Sequence, residues 1–384
     1  MKKLFLKLYK MLIKILCFLP MKNIIVFESN PDYACNTYPV FKYIKEHCQE
    51  YKCVWMVNEG IEKHPLADEI VYINGKGFKN KIKKIYICLL AKAFVSCNRY
   101  QKKYREDQIS LFLTHGSKTK KTRGIYEMGD KVDYILVQSH FFDDIICYEY
   151  NAKPEQLLYL GFPRNDYFYQ ELGLDAEKLE LPKDSQYVIW LPTFRKTIGG
   201  TDKETAQTNI GIPLIYSVDA LQKINDYLKE KNLYIIYKPH PAQNIALLKA
   251  TSLSNIKIIN DKFLSERGLQ LAQVLAGSSA LLTDYSSVFF DYILLDKPIG
   301  TTTDDIDAWK ESRGFAFDLD AMYDKSTERL PDLDSLIGFL DKTLSGVDEK
   351  RDGRCEVRDL TNTYFDGDSS KRVVDFLMEK INKK

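Results

Sequence analysis

The sequence has no CxxC pair, no glycine-rich dinucleotide-binding loop after its first predicted strand, and almost no excess of charge. Its eight cysteines are scattered, so the ligand spacings of structural zinc are missing and reduced cytoplasmic thiols are expected. Residues 29–32 read SNPD where a nicotinamide-dependent dehydrogenase would carry GxGxxG, which argues against that class. A net charge of +2 argues against nucleic-acid binding by the fold as a whole.

The composition is that of a globular protein long enough for two domains. Hydrophobic residues make up 45% and charged residues 28% of the 384 residues, and these values differ from those of disordered chains. One hydrophobic core rarely serves a chain of this length. Two domains of about 150 residues each are therefore expected.

The first 20 residues predict a basic amphipathic helix. Lysines recur at positions 3, 7, 10 and 14 on one helical face, leucine and isoleucine occupy the opposite face, and Pro20 ends the helix. The lysines interrupt the apolar run of about 20 residues that a transmembrane helix needs, and the cleavage site of a secretory signal is missing. We expect this segment to dock on an anionic membrane, with an ordinary helix packed on the fold as the alternative.

Beyond residue 20, short apolar runs alternate with helical stretches. Strands are predicted at residues 22–28, 53–57, 70–73, 93–96, 110–114, 134–138, 156–159, 187–191, 234–237, 256–259 and 280–283. Helices are predicted at residues 38–48, 77–91, 216–229, 269–276 and 287–295. This alternation is typical of the α/β class and predicts two Rossmann-like domains with parallel sheets, joined near residue 175. Residues 199–212 are predicted to form a mobile loop beside a site.

Polar clusters follow several predicted strands, and open parallel sheets bind ligands beyond the carboxyl ends of their strands. His115 follows the strand at 110–114, and a histidine can accept a proton from a hydroxyl near neutral pH. Arg164, in the segment GFPRND, offers a planar fork for phosphate, although an ordinary turn would explain this segment equally. The segment PTFR at 192–195 adds a hydroxyl group and a second guanidinium.

Two further clusters lie in the second half of the chain. Lys238 and His240 are held between prolines in KPHP, and a rigid loop would explain the prolines but not the paired cations. The segment TDYSSVFFDY at 283–292 runs from a strand into a helix with Ser286 or Ser287 as N-cap, an arrangement that favours an anion. Simple capping is the alternative and needs one serine. Asp291 lies on the same helix face as Ser287.

Taken in order, these segments resemble the CDP-glycerol glycerophosphotransferases of teichoic acid synthesis. The segments that carry the resemblance over nearly the whole chain beyond Pro20 are GFPRND, PTFR, KPHP, TDYSSVFFDY, RGF and FDGDSSKR. The first histidine motif of the family commonly reads HGTPLK, and residues 115–120 of this chain read HGSKTK. The resemblance implies two Rossmann-like domains that face a cleft, the GT-B architecture. Among the family, the chain is expected to be more similar to the short primase-type members than to the longer polymerases.

The resemblance also implies domain roles and site residues. Together with the sequence pattern, it predicts a membrane-docking helix at 1–20, an acceptor domain at 21–175, a CDP-donor domain at 176–355, and a C-terminal helix at 356–384 that packs back towards the N-terminal domain. His115 is implied as the general base on the acceptor hydroxyl, with His240 as a second catalytic residue. The residues implied to bind CDP-glycerol are Gly116, Ser117, Lys118, Thr119, Arg164, Pro192, Thr193, Arg195, Lys238, Pro239, Ser286, Ser287, Asp291 and Arg313.

The expected function is transfer of glycerol phosphate, or a related polyol phosphate, from CDP-glycerol to a membrane-linked acceptor, with release of CMP. The expected partners are the CDP-activated donor, an undecaprenyl-linked or glycolipid acceptor and an anionic membrane surface at the cytoplasmic face, with no nucleic acid. No cofactor or metal site is expected. Whether the enzyme uses a loosely bound magnesium ion is left open. The alternatives are a GT-B glycosyltransferase that uses a nucleotide sugar for capsule or lipopolysaccharide, and a membrane-docked scaffold without catalysis.

Overall fold

The structure is a computed structural model that describes residues 13, 16–101, 103–121, 126–170, 176–193, 210–240, 243, 245–312 and 314–383. Most of the predicted N-terminal helix, and residues 199–209 of the predicted loop, lie outside these ranges. At the end of the N-terminal segment, Ile13, Leu16 and Cys17 pack against apolar residues of the first sheet. Within the described ranges, no helix has both the length and the apolar character that crossing a bilayer requires.

The described residues form short parallel strands connected mostly by helices. The strands are β1 (Lys22–Glu28), β2 (Lys52–Val57), β3 (Glu69–Tyr72), β4 (Ala91–Ser96), β5 (Ile109–Phe112), β6 (Tyr134–Leu136), β7 (Leu157–Leu158), β8 (Gln186–Leu191), β9 (Leu233–Tyr237), β10 (Ile256–Ile258), β11 (Ala280–Thr283), β12 (Ile299–Thr302) and β13 (Glu328–Leu330). The α-helices are α1 (Thr37–His47), α2 (Phe78–Leu90), α3 (Asp143–Tyr150), α4 (Val218–Glu230), α5 (Ala246–Ala250), α6 (Asp261–Glu266), α7 (Leu271–Gly277), α8 (Val288–Tyr292), α9 (Ile306–Ser312), α10 (Leu319–Ser326), α11 (Leu333–Ser345), α12 (Arg351–Thr361) and α13 (Ser369–Asn382).

Backbone contacts divide the chain into two compact units, each built around one sheet. The first unit comprises the described residues within Met1–His115, Gly124–Asp166 and Asp366–Lys384, and the second comprises those within Gly116–Arg123 and Tyr167–Phe365. The sequence-based boundaries assigned residues 116–123 to the first domain and residues 356–365 to the C-terminal helix. The structure differs because residues 119–121 hydrogen-bond to residues 314–316, and because α12 packs on α10 within the second unit.

The first unit is a seven-stranded sheet in the order β3-β2-β1-β4-β5-β6-β7. All its strand pairs are parallel. The central strands carry apolar residues on both faces, as in β1, where residues 24–27 are all buried, because helices cover both sides of such a sheet. The predicted strand at 22–28 coincides with β1.

The C-terminal helix α13 belongs to the first unit. Val373, Val374 and Leu377 are buried in the same core cluster as Phe41 of α1. The start of α13 is fixed by Asp166, whose two carboxylate oxygens accept hydrogen bonds from the amides of Ser369 (2.9 Å) and Ser370 (2.7 Å). Burial of this carboxyl outweighs these hydrogen bonds and raises its pKa to about 6.

The raised pKa of Asp166 predicts a pH-dependent stability. Because the pKa in the folded chain lies above the ordinary value of 3.8, the stabilising contribution is fully present below that pH and is lost as the pH rises through about 6. The shift corresponds to about 3 kcal/mol. We therefore expect the free energy of unfolding of Asp166→Asn, relative to the unsubstituted chain, to increase by up to about 3 kcal/mol between about pH 4 and about pH 7. Denaturant titrations at several pH values measure this difference, and a pH-independent difference would contradict the prediction.

The second unit is a six-stranded parallel sheet in the order β10-β9-β8-β11-β12-β13. The predicted strand at 280–283 coincides with β11. The sequence analysis missed β12 and β13, because β12 reads IGTT and lacks an apolar run. Its Thr301 and Thr302 are nevertheless fully buried, and Thr301 Oγ1 lies 2.8 Å from Thr327 Oγ1, so tertiary hydrogen bonds satisfy hydroxyls that the sequence pattern suggests are exposed.

Candidate active site

His115 lies just beyond the carboxyl end of β5 and its side chain is exposed. Thr114, the residue before it, has a φ of 49°, in the left-handed region that β-branched residues avoid. A hydrogen bond of 3.1 Å from Thr114 Oγ1 to the carbonyl of Leu136 holds this conformation. His115 therefore lies at the edge of the sheet where ligands of parallel sheets bind.

Asn36 and Arg164 fix the loop that carries His115. The buried Asn36 side chain donates hydrogen bonds to the carbonyls of Leu113 (3.0 Å) and Thr114 (3.2 Å). Its amide oxygen accepts a hydrogen bond from the backbone N–H of Arg164 (3.2 Å). The Arg164 guanidinium donates to the carbonyl of His115, so the predicted phosphate ligand also supports the predicted base.

Two cysteines lie beside His115. Cys35 Sγ is 3.4 Å from His115 Nδ1, and Arg164 Nη1 is 3.4 Å from the same sulfur. Interaction with Cys97, followed by the positive charges of His115 and Arg164, holds the pKa of Cys35 well below its usual range, whereas burial raises the pKa of Cys97. The ligand atoms of Cys35, Cys97 and His115 all lie within 4.8 Å of one another, a spacing compatible with one metal ion. The Arg164 guanidinium already supplies positive charge at this sulfur and so disfavours a cation.

The segment after His115 is held in the second unit. Thr119 is buried, and its hydroxyl donates a 2.8 Å hydrogen bond to the carbonyl of Tyr285. The carbonyl of Thr119 accepts a 2.9 Å hydrogen bond from the amide of Ala316, beside the RGF segment. Gly116 and Ser117 are buried as well, and Lys118 is half-buried. Thr119 therefore supports the TDYSS loop in this structure.

Thr193 and Asp284 connect the loops after β8 and β11. The fully buried carboxylate of Asp284 accepts hydrogen bonds from the Thr193 amide (2.9 and 2.8 Å) and from the Thr193 hydroxyl (3.0 Å). The Thr193 side chain thus fixes this edge of the second sheet. Pro192 is half-buried next to it.

A basic cluster lies beyond the carboxyl end of β9. Lys238 forms an ion pair of 2.9 Å with Asp261, at the start of α6. His240 has an accessible side chain, but partial desolvation of its ring, followed by the positive charges of Lys120 and Lys238, lowers its pKa. A neutral imidazole among lysines can donate or accept a hydrogen bond near neutral pH, and an anion would relieve the repulsion between the lysines. Pro239, between the two predicted ligands, is buried.

Ser286 and Ser287 lie at the start of α8, and one of the two is its N-cap residue, as predicted. Ser287 occupies the N-cap position without a side-chain capping bond, and Ser286 Oγ accepts a 3.4 Å hydrogen bond from the amide of Val288. Both serines are half-buried. Asp291 is only 5% exposed, so it lies deeper than the serines.

The structure brings the predicted residues together in two groups, one in each unit. His115 and Arg164 share the first, and Lys238 and His240 share the second. Arg195 and Arg313 lie outside the described residues. Sequence reasoning missed several residues of these groups, namely Cys35, Asn36, Lys120, Asp261 and Asp284. The signal available for Asp284 was its place directly after a strand, and the signal for Lys120 was its place in the HGSKTK segment. Cys35, Asn36 and Asp261 follow no pattern that one sequence displays.

The chain has two α/β units with parallel sheets, and basic and hydroxyl side chains lie beyond the ends of their strands. These features define a protein of the doubly wound α/β class that binds a ligand at the strand ends. The chain belongs to the CDP-glycerol:poly(glycerophosphate) glycerophosphotransferase family, whose model matches residues 11–379. This match confirms the family and the enzyme class predicted from the ordered motifs.

Curated relatives come from teichoic acid synthesis. A teichoic acid poly(glycerol phosphate) polymerase of Bacillus spizizenii is 21% identical, covering 98% of this chain and 98% of its own. A teichoic acid glycerol-phosphate transferase of Staphylococcus aureus is 24% identical, covering 94% of both chains. The polymerase of Bacillus subtilis is 24% identical over 83% of this chain, which spans only 44% of that longer relative.

Solved structures share the fold. The wall teichoic acid polymerase TagF superposes with a TM-score of 0.73 at 22% identity, covering 94% of this chain and 90% of that one. A UDP-N-acetylglucosamine 2-epimerase superposes with a TM-score of 0.54 at 13% identity, covering 95% of this chain and 97% of that one. These similarities confirm the predicted α/β fold with two Rossmann-like sheets.

Proposed function

We propose that the chain transfers glycerol phosphate, or a related polyol phosphate, from a CDP-linked donor to a hydroxyl of a lipid-linked acceptor. CMP is the leaving group, and the product is a teichoic acid or a capsule-type polymer. The observation that carries the proposal is the placement of His115, an exposed imidazole at a strand end whose loop is fixed by Asn36 and Arg164. A general base needs this accessibility and this fixed backbone.

The donor phosphates are assigned to the second unit. Lys238 and His240 lie together after β9, and Ser286 and Ser287 offer hydroxyls at the start of α8. Phosphoryl transfer asks the protein mainly for positioning and charge stabilisation, which cations and hydroxyl donors supply. Asp291 is negative and is assigned to a ribose or glycerol hydroxyl. Arg195 and Arg313, outside the described residues, are assigned as further phosphate contacts.

His115 removes the proton of the acceptor hydroxyl. The acceptor oxygen forms a bond to the glycerol-bound phosphorus of the donor as the bond from that phosphorus to the bridging oxygen breaks. The electron pair of the broken bond leaves with CMP. The proton stays on the imidazole until solvent takes it, so no covalent enzyme intermediate is required.

The partners and location follow from the same proposal. A lipid-linked acceptor requires the enzyme at the cytoplasmic membrane surface. The lysine-containing segment 1–20 would supply a peripheral contact with anionic lipid. No cofactor is assigned. Because magnesium often accompanies nucleotide phosphates, activity should be measured with and without added magnesium after treatment with a chelator.

A donor panel tests the proposal. Purified protein and acceptor membranes are offered CDP-glycerol, CDP-ribitol and UDP-sugars in parallel, with release of CMP or UDP and product mass as readouts. CMP release from a CDP-polyol, with the product heavier by whole polyol-phosphate units, is expected. UDP release alone would replace the proposal with a glycosyltransferase, and no release from any donor would favour a scaffold. Product length separates addition of one unit from polymerisation.

His240→Ala should reduce the rate of CMP release by about 100-fold. The substitution removes a hydrogen-bonding group from the basic cluster that we assign to the donor phosphates, while Lys120 and Lys238 remain. The measurement is kcat and KM for the donor. His47→Ala, which removes an exposed histidine of the first unit, serves as the control and should leave both constants unchanged. Unaltered kcat and KM in His240→Ala would remove this residue from the donor site.

A further inference from the structure

The contact between Cys35 and His115 gives the imidazole a defined partner on one ring nitrogen. Cys35 Sγ lies 3.4 Å from His115 Nδ1, within the range of a hydrogen bond to sulfur. This partner is on the opposite side of the ring from Nε2. A ring held at Nδ1 presents Nε2 in a fixed direction, as in other sites where a third group orients a histidine base.

The charges around Cys35 favour a thiolate. The loop after β1 carries Cys35, the turn after β5 carries His115, and the short helix at Pro163–Phe168 carries Arg164. The thiol of Cys97, directly after β4, donates a 3.0 Å hydrogen bond to Asn98 Oδ1, and burial raises its pKa.

The backbone at Cys35 also shows that this side chain is held in place. Its φ is 59°, in the left-handed region that favours glycine, asparagine and aspartate. Directly after it, Asn36 makes the hydrogen bonds that fix the His115 loop. A cysteine that only filled apolar space would need neither this conformation nor a guanidinium contact.

We propose that Cys35 is a positioning residue for His115, whose Nδ1–H it accepts so that Nε2 takes the proton of the acceptor hydroxyl. This inference rests on the proposed function. As the acceptor oxygen attacks phosphorus and CMP departs, Nε2 gains the proton and the ring becomes an imidazolium. The Nδ1–H stays bonded to the sulfur throughout, and the negative thiolate stabilises the positive ring. Cys35 itself forms no covalent bond and undergoes no redox change.

Three substitutions at Cys35 test this role. Cys35→Ala and Cys35→Ser remove the anion, and both should lower kcat by about 10- to 100-fold with little change in KM for the CDP-linked donor. The acid limb of the kcat–pH profile should move to lower pH, because the ring loses the anion that favours its protonated form. Cys35→Asp restores an anion, suits the left-handed backbone, and should recover much of the rate and the wild-type acid limb.

A second cysteine serves as the control for the Cys35 variants, and three outcomes would contradict the proposed role of Cys35. Cys147→Ser removes a half-buried thiol on α3 and should leave kcat and the pH profile unchanged. A lower rate at every pH with an unmoved acid limb and no rescue by Cys35→Asp would reduce Cys35 to a structural role. A wild-type rate in Cys35→Ser would overturn the proposal outright. Loss of wild-type activity on chelation, restored by zinc, would make the cluster a metal site instead.

A readout without turnover keeps the inference separate from the proposed function. In the intact protein, iodoacetamide should alkylate Cys35 at lower pH than Cys147, and His115→Gln should move the Cys35 profile to higher pH. Alkylation of Cys35 with an ordinary thiol profile, unmoved by His115→Gln, would overturn the inference even if CMP release is confirmed. Failure of every CDP-polyol as donor would instead refute the proposed function, and the alkylation profile would still report whether the sulfur and ring interact.

Discussion

His115→Ala should lower the rate of CMP release from CDP-glycerol by about 100- to 10,000-fold, the range contributed by general-base catalysis. The reason is chemical, because no other described histidine lies on the loop after β5, and the acceptor hydroxyl would have to lose its proton to water. Affinity for the donor should change little, since the donor contacts are assigned to the second unit. The measurements are kcat with membrane acceptor and donor binding by calorimetry.

The control for this variant is His140→Ala. His140 is an exposed histidine in the same unit and pairs with Asp143 at 3.0 Å on the surface. Its loss should leave turnover unchanged. Near-normal turnover in His115→Ala would remove that residue from the base role, and the Cys35 proposal would fall with it. Loss of donor binding in His115→Ala would show instead that the ring contributes to the donor site.

Asp284→Ala should destabilise the second unit by about 3 kcal/mol and abolish activity. The carboxylate is fully buried and accepts hydrogen bonds from both the amide and the hydroxyl of Thr193. Removing it takes away the charged acceptor of both Thr193 hydrogen bonds, and hydrogen bonds to charged groups contribute about 1.5–3 kcal/mol each. The loops that carry Thr193 and Ser286 would lose their connection, so we expect donor binding to weaken as well.

Thr193→Val gives the graded comparison for Asp284→Ala. It removes the hydroxyl and keeps the backbone amide on the carboxylate, so a loss of about 1 kcal/mol is expected. Urea unfolding, followed by tryptophan fluorescence, measures both variants, because Trp190 is buried in the neighbouring strand β8. Equal losses in the two variants would show that the hydroxyl bond alone accounts for the effect, contrary to our expectation.

Much of the fold was predictable because apolar runs and strand ends are local signals. The pattern at residues 22–28 and 280–283 gave strands β1 and β11 without error, since a buried parallel strand is apolar on both faces. The strand at 299–302 was missed because buried threonines read as polar, and their hydroxyls are satisfied by partners far along the chain, such as Thr327.

The candidate site was partly predictable for the same reason. His115 and the KPHP segment directly follow strands, so the sequence placed them at the ligand-binding edges of the sheets. The sequence did not show that the Thr193 hydroxyl donates a hydrogen bond to Asp284, or that the Arg164 guanidinium supports the His115 loop. Those contacts join residues 91 and 49 positions apart in the chain, and one sequence carries no record of such pairs.

The sequence by itself determined the alternation of strands and helices, the family and the residue types available for phosphate transfer. These are properties of short segments, where periodicity and motif order suffice. Only the tertiary structure decided which side chains serve the backbone and which remain accessible. It placed Cys35, which the sequence did not single out, against His115, because the loops after β1 and β5 meet at one edge of the sheet even though 80 positions separate them.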